Sequence, residues 1–357
     1  MNNTWYSFSV SDVGKKRTVN QDSIYSNDNQ MIWAVADGMG GHRDGDKASQ
    51  AIIAIFEETT FSQVMSERLI QIEKSIRTLN ADLQNYSSNN LNGQLMGSTI
   101  IVFTVCQGMC AVLWVGDSRC YKISQNIMKQ VSWDHSYVDE LLRAGHMVEE
   151  EAAASKLSNV ITRAVGAHDE LFFDHVIMPY SDEDTFLLCS DGLTHELTDV
   201  IIEKSIIKNG CAQVSIDDLL TKTLDHGARD NVSIMLISSQ QRRPKNTQEA
   251  RLIESYSGKL NTLANVLFNR EIELTSYYQK FSEIIEQSIS SHNSFKGQDT
   301  QELPVLKREV KIEKKPTVKF PKVTLNETNN RSIDYRYSFL IATIISLFII
   351  LMLLVFN

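Results

Sequence analysis

The chain of 357 residues has few prolines, few cysteines and a shortage of positive charge. Five prolines against 42% hydrophobic residues exclude a disordered, proline-rich chain and leave room for one large globular domain with appendages. Its five cysteines, Cys106, Cys110, Cys120, Cys189 and Cys211, are odd in number. Cys106 and Cys110 have no second pair at zinc-finger spacing, so reduced and mostly buried thiols are expected. No cysteine opens a C-x5-R loop, which removes support for thiolate chemistry on phosphate. A net charge of -9 and a pI near 5.5 argue against nucleic acid as a partner, because such binders carry a basic face. The amino terminus, MNNTWYSFSV, lacks the pattern of a secretory signal. Nucleotide loops fail too. In Gly40–Lys47 (GGHRDGDK) Asp46 stands where the phosphate-binding lysine belongs, and GMGG lacks the third glycine of a dinucleotide fingerprint.

Long apolar runs are scarce, which makes the one at the carboxyl end conspicuous. Residues 337–356, YSFLIATIISLFIILMLLVF, carry no charge. At about 1.5 Å per residue they span about 30 Å, and a transmembrane helix is predicted. Arg331 and Arg336 precede it, so the positive-inside tendency puts the remainder of the chain in the cytoplasm. Residues 292–336 read as a flexible basic linker, with Lys307, Arg308, Lys311, Lys314, Lys315, Lys319 and Lys322 among three prolines. That charge suits anionic lipid or simple solvation equally.

Residues 241–291 form a separate helical segment in this reading. Ile253, Leu260, Leu267, Leu274 and Phe281 recur every seven residues, and Tyr256, Leu263, Tyr277 and Ile284 fill the intermediate seam. Arg270 and Gly258 interrupt the pattern. Self-association or binding of a membrane partner through residues 253–284 is expected slightly ahead of docking on the catalytic part, which the same stripe would serve.

The chemistry lies in residues 1–240. In MIWAVADGMGGH an apolar, strand-like run ends on Asp37 and falls into glycines. CAVLWVGDSR repeats the pattern with Asp117 and TFLLCSDG with Asp191, while ARDNVSIMLIS inverts it, Asp230 preceding the run. One such acid is a turn former, whereas four point to a site. Antiparallel neighbours place the end of one strand beside the start of the next, so the four acids can share a rim. Gathered and ionised they repel one another, and divalent cations neutralise them most economically. Oxygen-only ligands select Mg²⁺ or Mn²⁺. Gly38 lets a backbone carbonyl approach such an ion.

Arg17–Ser23 (RTVNQDS), VADGMGGH, Gly97-Ser98-Thr99, VGDSR, SDG and RDNVS occur in an order and spacing that resemble the metal-dependent protein phosphatase 2C family of Ser/Thr phosphatases. The resemblance covers about residues 5–240, and residues 134–166 resemble the flap of its bacterial branch. It implies an α+β fold, an antiparallel β-sandwich flanked by α-helices, which fits the short strands and the helical tracts near 46–60 and 64–86 in this sequence. It also implies Asp37 bridging two metals, Gly38 as a carbonyl ligand, Asp191 and Asp230 completing one shell, and Asp117 with Asp191 serving a third metal. Asp22 would hold metal-bound water, and the planar fork of Arg17 would clamp the substrate phosphate. The implied reaction is hydrolysis of phospho-Ser and phospho-Thr on proteins by a metal-bridging water, opposing a Ser/Thr kinase.

Two positions depart from the eukaryotic pattern, Gln21 for Glu and Met39 for His. They leave the general acid unassigned, with His42 open to that role or to a structural one. The rival function is a membrane-tethered pseudophosphatase that holds phosphoproteins as a scaffold, against which the retained acids speak. A third reading makes the seam at residues 253–284 the principal element.

Overall fold

The computed structural model describes residues 5–39, 44–148, 151–152, 155, 157, 160–181, 183–239, 259–260, 262–264, 266–267 and 272–296. Two antiparallel sheets form its centre. The first has the order β1 (Trp5–Asp12), β11 (Val232–Ser239), β10 (Thr185–Cys189), β7 (Arg119–Ser124), β8 (Ile127–Gln130). The second has the order β2 (Asp22–Asn27), β3 (Ile32–Met39), β5 (Ile100–Cys106), β6 (Met109–Val115), β9 (Asp174–Met178), with β4 (Gly97–Ser98) added at the end of β3.

The apolar runs read from the sequence are central strands whose two faces are both covered, which explains why they do not alternate with polar residues. Alternation is present in a different sense. Along β5 and β6, Ile101, Phe103, Val112 and Trp114 turn inward and meet Phe186, Leu188, Met235 and Ile237 of the first sheet. The intervening Ile100, Val102, Leu113 and Val115 face outward onto α1 (Gly45–Glu58) and α2 (Met65–Asn90). On the far side, Leu187, Ile234 and Leu236 pack against α5 (Asp199–Asn209) and α6 (Gln213–His226), beside the single turn α4 (Asp191–Thr194) and after the short α3 (Tyr137–Arg143). Helices therefore cover both sides of a sandwich, as the resemblance implied. The four cysteines nearest the core, Cys106, Cys110, Cys120 and Cys189, are buried and all five are free.

A seventh helix, α7 (Leu274–Lys296), corrects the reading of the heptad seam as a surface for self-association or a partner. Tyr277, Tyr278, Phe281, Ile285 and Ile289 are buried, with Leu260 and Leu263, in the same apolar cluster as α1 and α2. Leu274, a seam position, is 42% exposed, and Ile285 is buried more fully than Ile284. The buried stripe thus drifts with the 3.6-residue turn of a globular helix instead of keeping a 3.5-residue period. The contact carries buried polar groups as well. Glu73 of α2 faces His175 at 2.7 Å and Arg77 at 3.2 Å, and Tyr277 Oη donates to its carboxylate at 3.3 Å.

Among the described residues no helix is long and apolar enough to cross a membrane. The predicted span at 337–356, the linker from 297 to 336, the first part of the helical segment (240–258) and His42 lie outside the described residues.

Candidate active site

The four recurring acids reach one rim, but that rim is shared between the two sheets. Asp22 opens β2 and stands directly opposite Asp37, near the end of β3, in the antiparallel register. Asp117 follows β6 in the same sheet. Asp191 follows β10 and Asp230 precedes β11 in the other, two strands that also pair antiparallel. Ser190 joins the halves, its Oγ donating to Asp22 Oδ2 at 2.7 Å. Thr99 ties two acids together. Its Oγ1 accepts from the Asp37 amide at 3.0 Å and lies 2.8 Å from Ser118 Oγ, next to Asp117.

Glycine is needed where backbones meet. A Cβ on Gly38 would stand 2.2 Å from the Gly45 carbonyl oxygen, and one on Gly192 would stand 1.9 Å from that of Asn231. The first contact brings the end of β3 onto the start of α1, and the second seats Asp191 on the β11 entry.

Arg17 lies 46% exposed by side chain, and its Nη2 donates to Asp230 Oδ2 at 2.7 Å. That bond is the main cause holding its guanidinium above the ordinary arginine range. Burial pushes the Asp22 carboxyl up to about 7, with Ser190 and Ser233 pulling the other way. Burial also raises Asp37 and Asp117 well above the carboxylate range, and neighbouring carboxylates add to it. Asp191 is raised by burial too, with His195 opposing. His195 Nδ1 stands 3.3 Å from Asp191 Oδ2.

Among the described residues no three side chains are drawn together around one point as a finished metal shell. The fit to divalent metal rests on the donors. Asp22 Oδ1, Asp117 Oδ1 and Asp191 Oδ1 are buried without a hydrogen-bond partner. Such acceptors are costly unless a cation or proton meets them. Their chemistry is all oxygen, suited to hard ions.

Sequence reasoning missed the residue that organises this rim. Asn231 is 3% exposed, and its Nδ2 donates to the carbonyls of Val13 at 2.9 Å and Val19 at 3.0 Å. Its Oδ1 accepts from the Gln21 amide at 2.9 Å. It therefore holds both ends of the loop that carries Arg17 and the start of the strand that carries Asp22. Only its place beside Asp230 in RDN could have drawn attention to it. His135 was missed as well. It clamps Gly116, its amide donating to the Gly116 carbonyl and its Nδ1 accepting from the Gly116 amide, each at 2.9 Å.

The sequence model described as Protein phosphatase 2C matches residues 14–226. A serine/threonine phosphatase, stp, of Listeria monocytogenes is 34% identical over 233 residues, which is 63% of this chain and 92% of the relative. Among solved structures, the serine/threonine phosphatase of S. agalactiae superposes with a TM-score of 0.62 at 29% identity, over 66% of this chain and 99% of that one. The catalytic domain of the serine/threonine phosphatase PstP, solved in complex with two manganese ions, superposes with a TM-score of 0.59 at 25% identity, over 67% and 100%.

Proposed function

This chain belongs to the protein phosphatase 2C family and is a protein serine/threonine phosphatase; we propose that it works on the cytoplasmic face of a membrane, tethered through residues 337–356, and opposes a Ser/Thr kinase. The observation that carries the catalytic part is the set of three buried, partnerless carboxylate oxygens on one rim, from Asp22, Asp117 and Asp191.

Asp37, the Gly38 carbonyl, Asp191 and Asp230 are the residues we assign to two divalent ions, with Asp117 and Asp191 holding a third. Manganese or magnesium bound there supplies activation of the attacking water and neutralises charge at phosphorus. The protein's own residues do the positioning. Arg17, now paired with Asp230, turns its fork to two phosphoryl oxygens when substrate arrives. Asp22, fixed by Ser190, keeps one buried oxygen free and would hold metal-bound water through it. Asn231 keeps Arg17 and Asp22 in fixed relation.

The support for the tether is the uncharged run at residues 337–356 and the arginines before it. The test uses the full chain in isolated membranes. Phosphate release from a phosphothreonine peptide should require Mn²⁺ or Mg²⁺, stop on chelation, and fall at least about 100-fold in Asp191→Asn. Deleting residues 337–357 should move the protein to the soluble fraction with turnover retained. Metal-independent turnover would refute the site, and an unchanged membrane fraction would refute the tether.

A further inference from the structure

The loop from Gly14 to Val19 borders the rim beside Asp230. Gly14 has φ +75°, and a Cβ there would stand 2.2 Å from the Asp230 carbonyl oxygen, so the loop lies directly on the 228–230 segment. Lys15 donates its amide to the Ala228 carbonyl at 2.8 Å. Asn231 pins the carbonyls at both ends of the loop, Val13 and Val19. The tip therefore has a fixed root, and it carries Lys15, Lys16 and Arg17, all exposed.

The cations here are not equivalent. Arg17 is paired with Asp230, and Arg229 across the contact is paired with the buried carboxylate of Glu196 at 2.9 Å. Among the described residues, neither the Lys15 nor the Lys16 ammonium is paired with a carboxylate. Two unneutralised cations thus flank the phosphate contact on a chain whose net charge is -9. They are a local source of positive charge at the edge of an acidic rim.

We infer that Lys15 and Lys16 are specificity residues, selecting phosphorylated sites that carry acidic or further phosphorylated side chains within about three residues of the scissile phosphate. The inference rests on the reading of Arg17 as the phosphate contact. An extended peptide advances about 3.3 Å per residue, so flanking side chains two or three positions away pass within about 10 Å of that phosphate. Long lysine side chains on a fixed loop cover such a span. No covalent step is added; the lysines act on capture of the peptide.

The experiment compares kcat/KM of the full chain for phosphothreonine peptides with acidic, neutral and doubly phosphorylated flanks, each divided by that for p-nitrophenyl phosphate, which has no flank. Two exposed pairs correspond to roughly three- to tenfold. The wild-type protein should favour the acidic and doubly phosphorylated peptides by that factor, and less so as salt rises. The preference should vanish in K15A/K16A, survive in K15R/K16R and invert toward basic flanks in K15E/K16E. Equal ratios for all peptides in the wild-type protein, or a preference unmoved in K15A/K16A, would overturn the inference and leave the phosphatase site standing. Absence of p-nitrophenyl phosphate turnover would overturn both.

Discussion

Asn231 offers the sharpest test of how the rim is built. Replacing it by alanine removes three hydrogen bonds at 2.9, 3.0 and 2.9 Å and leaves the carbonyls of Val13 and Val19 and the amide of Gln21 without their partner. A net hydrogen bond contributes about 0.5–1.5 kcal/mol, and a buried group left unpaired costs about 1–3 kcal/mol. With Asn231 only 3% exposed, water cannot easily replace the amide. The expected loss is about 2–5 kcal/mol, read as a shifted urea midpoint at unchanged slope. Function should move with it. The loop that carries Arg17 loses both tethers, so KM for a phosphothreonine peptide should rise about tenfold, while kcat at saturating substrate and metal changes less. Asn231→Asp separates the contributions, because the carboxylate still accepts from Gln21 but can donate to neither carbonyl. It should be at least as damaging as alanine. A loss under about 1 kcal/mol in Asn231→Ala, with KM unmoved, would refute the assignment of Asn231 as the residue that holds the Arg17 loop and the start of β2.

Three further outcomes follow from the same geometry. Removing Phe281, which is fully buried under α2, should cost about 3–5 kcal/mol in Phe281→Ala by thermal or chemical denaturation, and a chain ending at Ser239 should bind hydrophobic dye; neither effect is expected if α7 serves only a partner. Desolvation raises the pKa of Glu73, but His175 and Arg77 together outweigh it and set the folded value below the ordinary one. The unfolded chain then takes up the proton first, so this stability is complete above about pH 5 and is lost as pH falls through the folded value, a dependence that urea midpoints should show flattened in Glu73→Gln. Manganese at about 100 times its dissociation constant should raise stability by about 2.7 kcal/mol, seen as a rise in Tm that Asp191→Asn diminishes; a wild-type Tm indifferent to manganese would contradict the cation reading of the rim.

The amino-acid order alone determined the strand ends and the acids on them. Asp37, Asp117, Asp191 and Asp230 were found because apolar runs terminate beside them, and strand length and side-chain type are local properties. The layered α+β architecture was implied by the resemblance of the motifs to a known family and fitted the helical tracts, which the structure places at Gly45–Glu58 and Met65–Asn90. Tertiary structure decided which acids face each other. Asp22 and Asp37 meet through the register of neighbouring strands in one sheet, whereas the bridge from Ser190 to Asp22 joins residues 168 positions apart in different sheets, and no periodicity encodes such a partner. The role of Asn231 was hidden for that reason: a buried amide with three backbone partners looks, in sequence, like any polar residue beside an acid. The seam of α7 was hidden for another. An apolar stripe states that a helix face needs cover, while only the fold shows that α2 of the same chain supplies it.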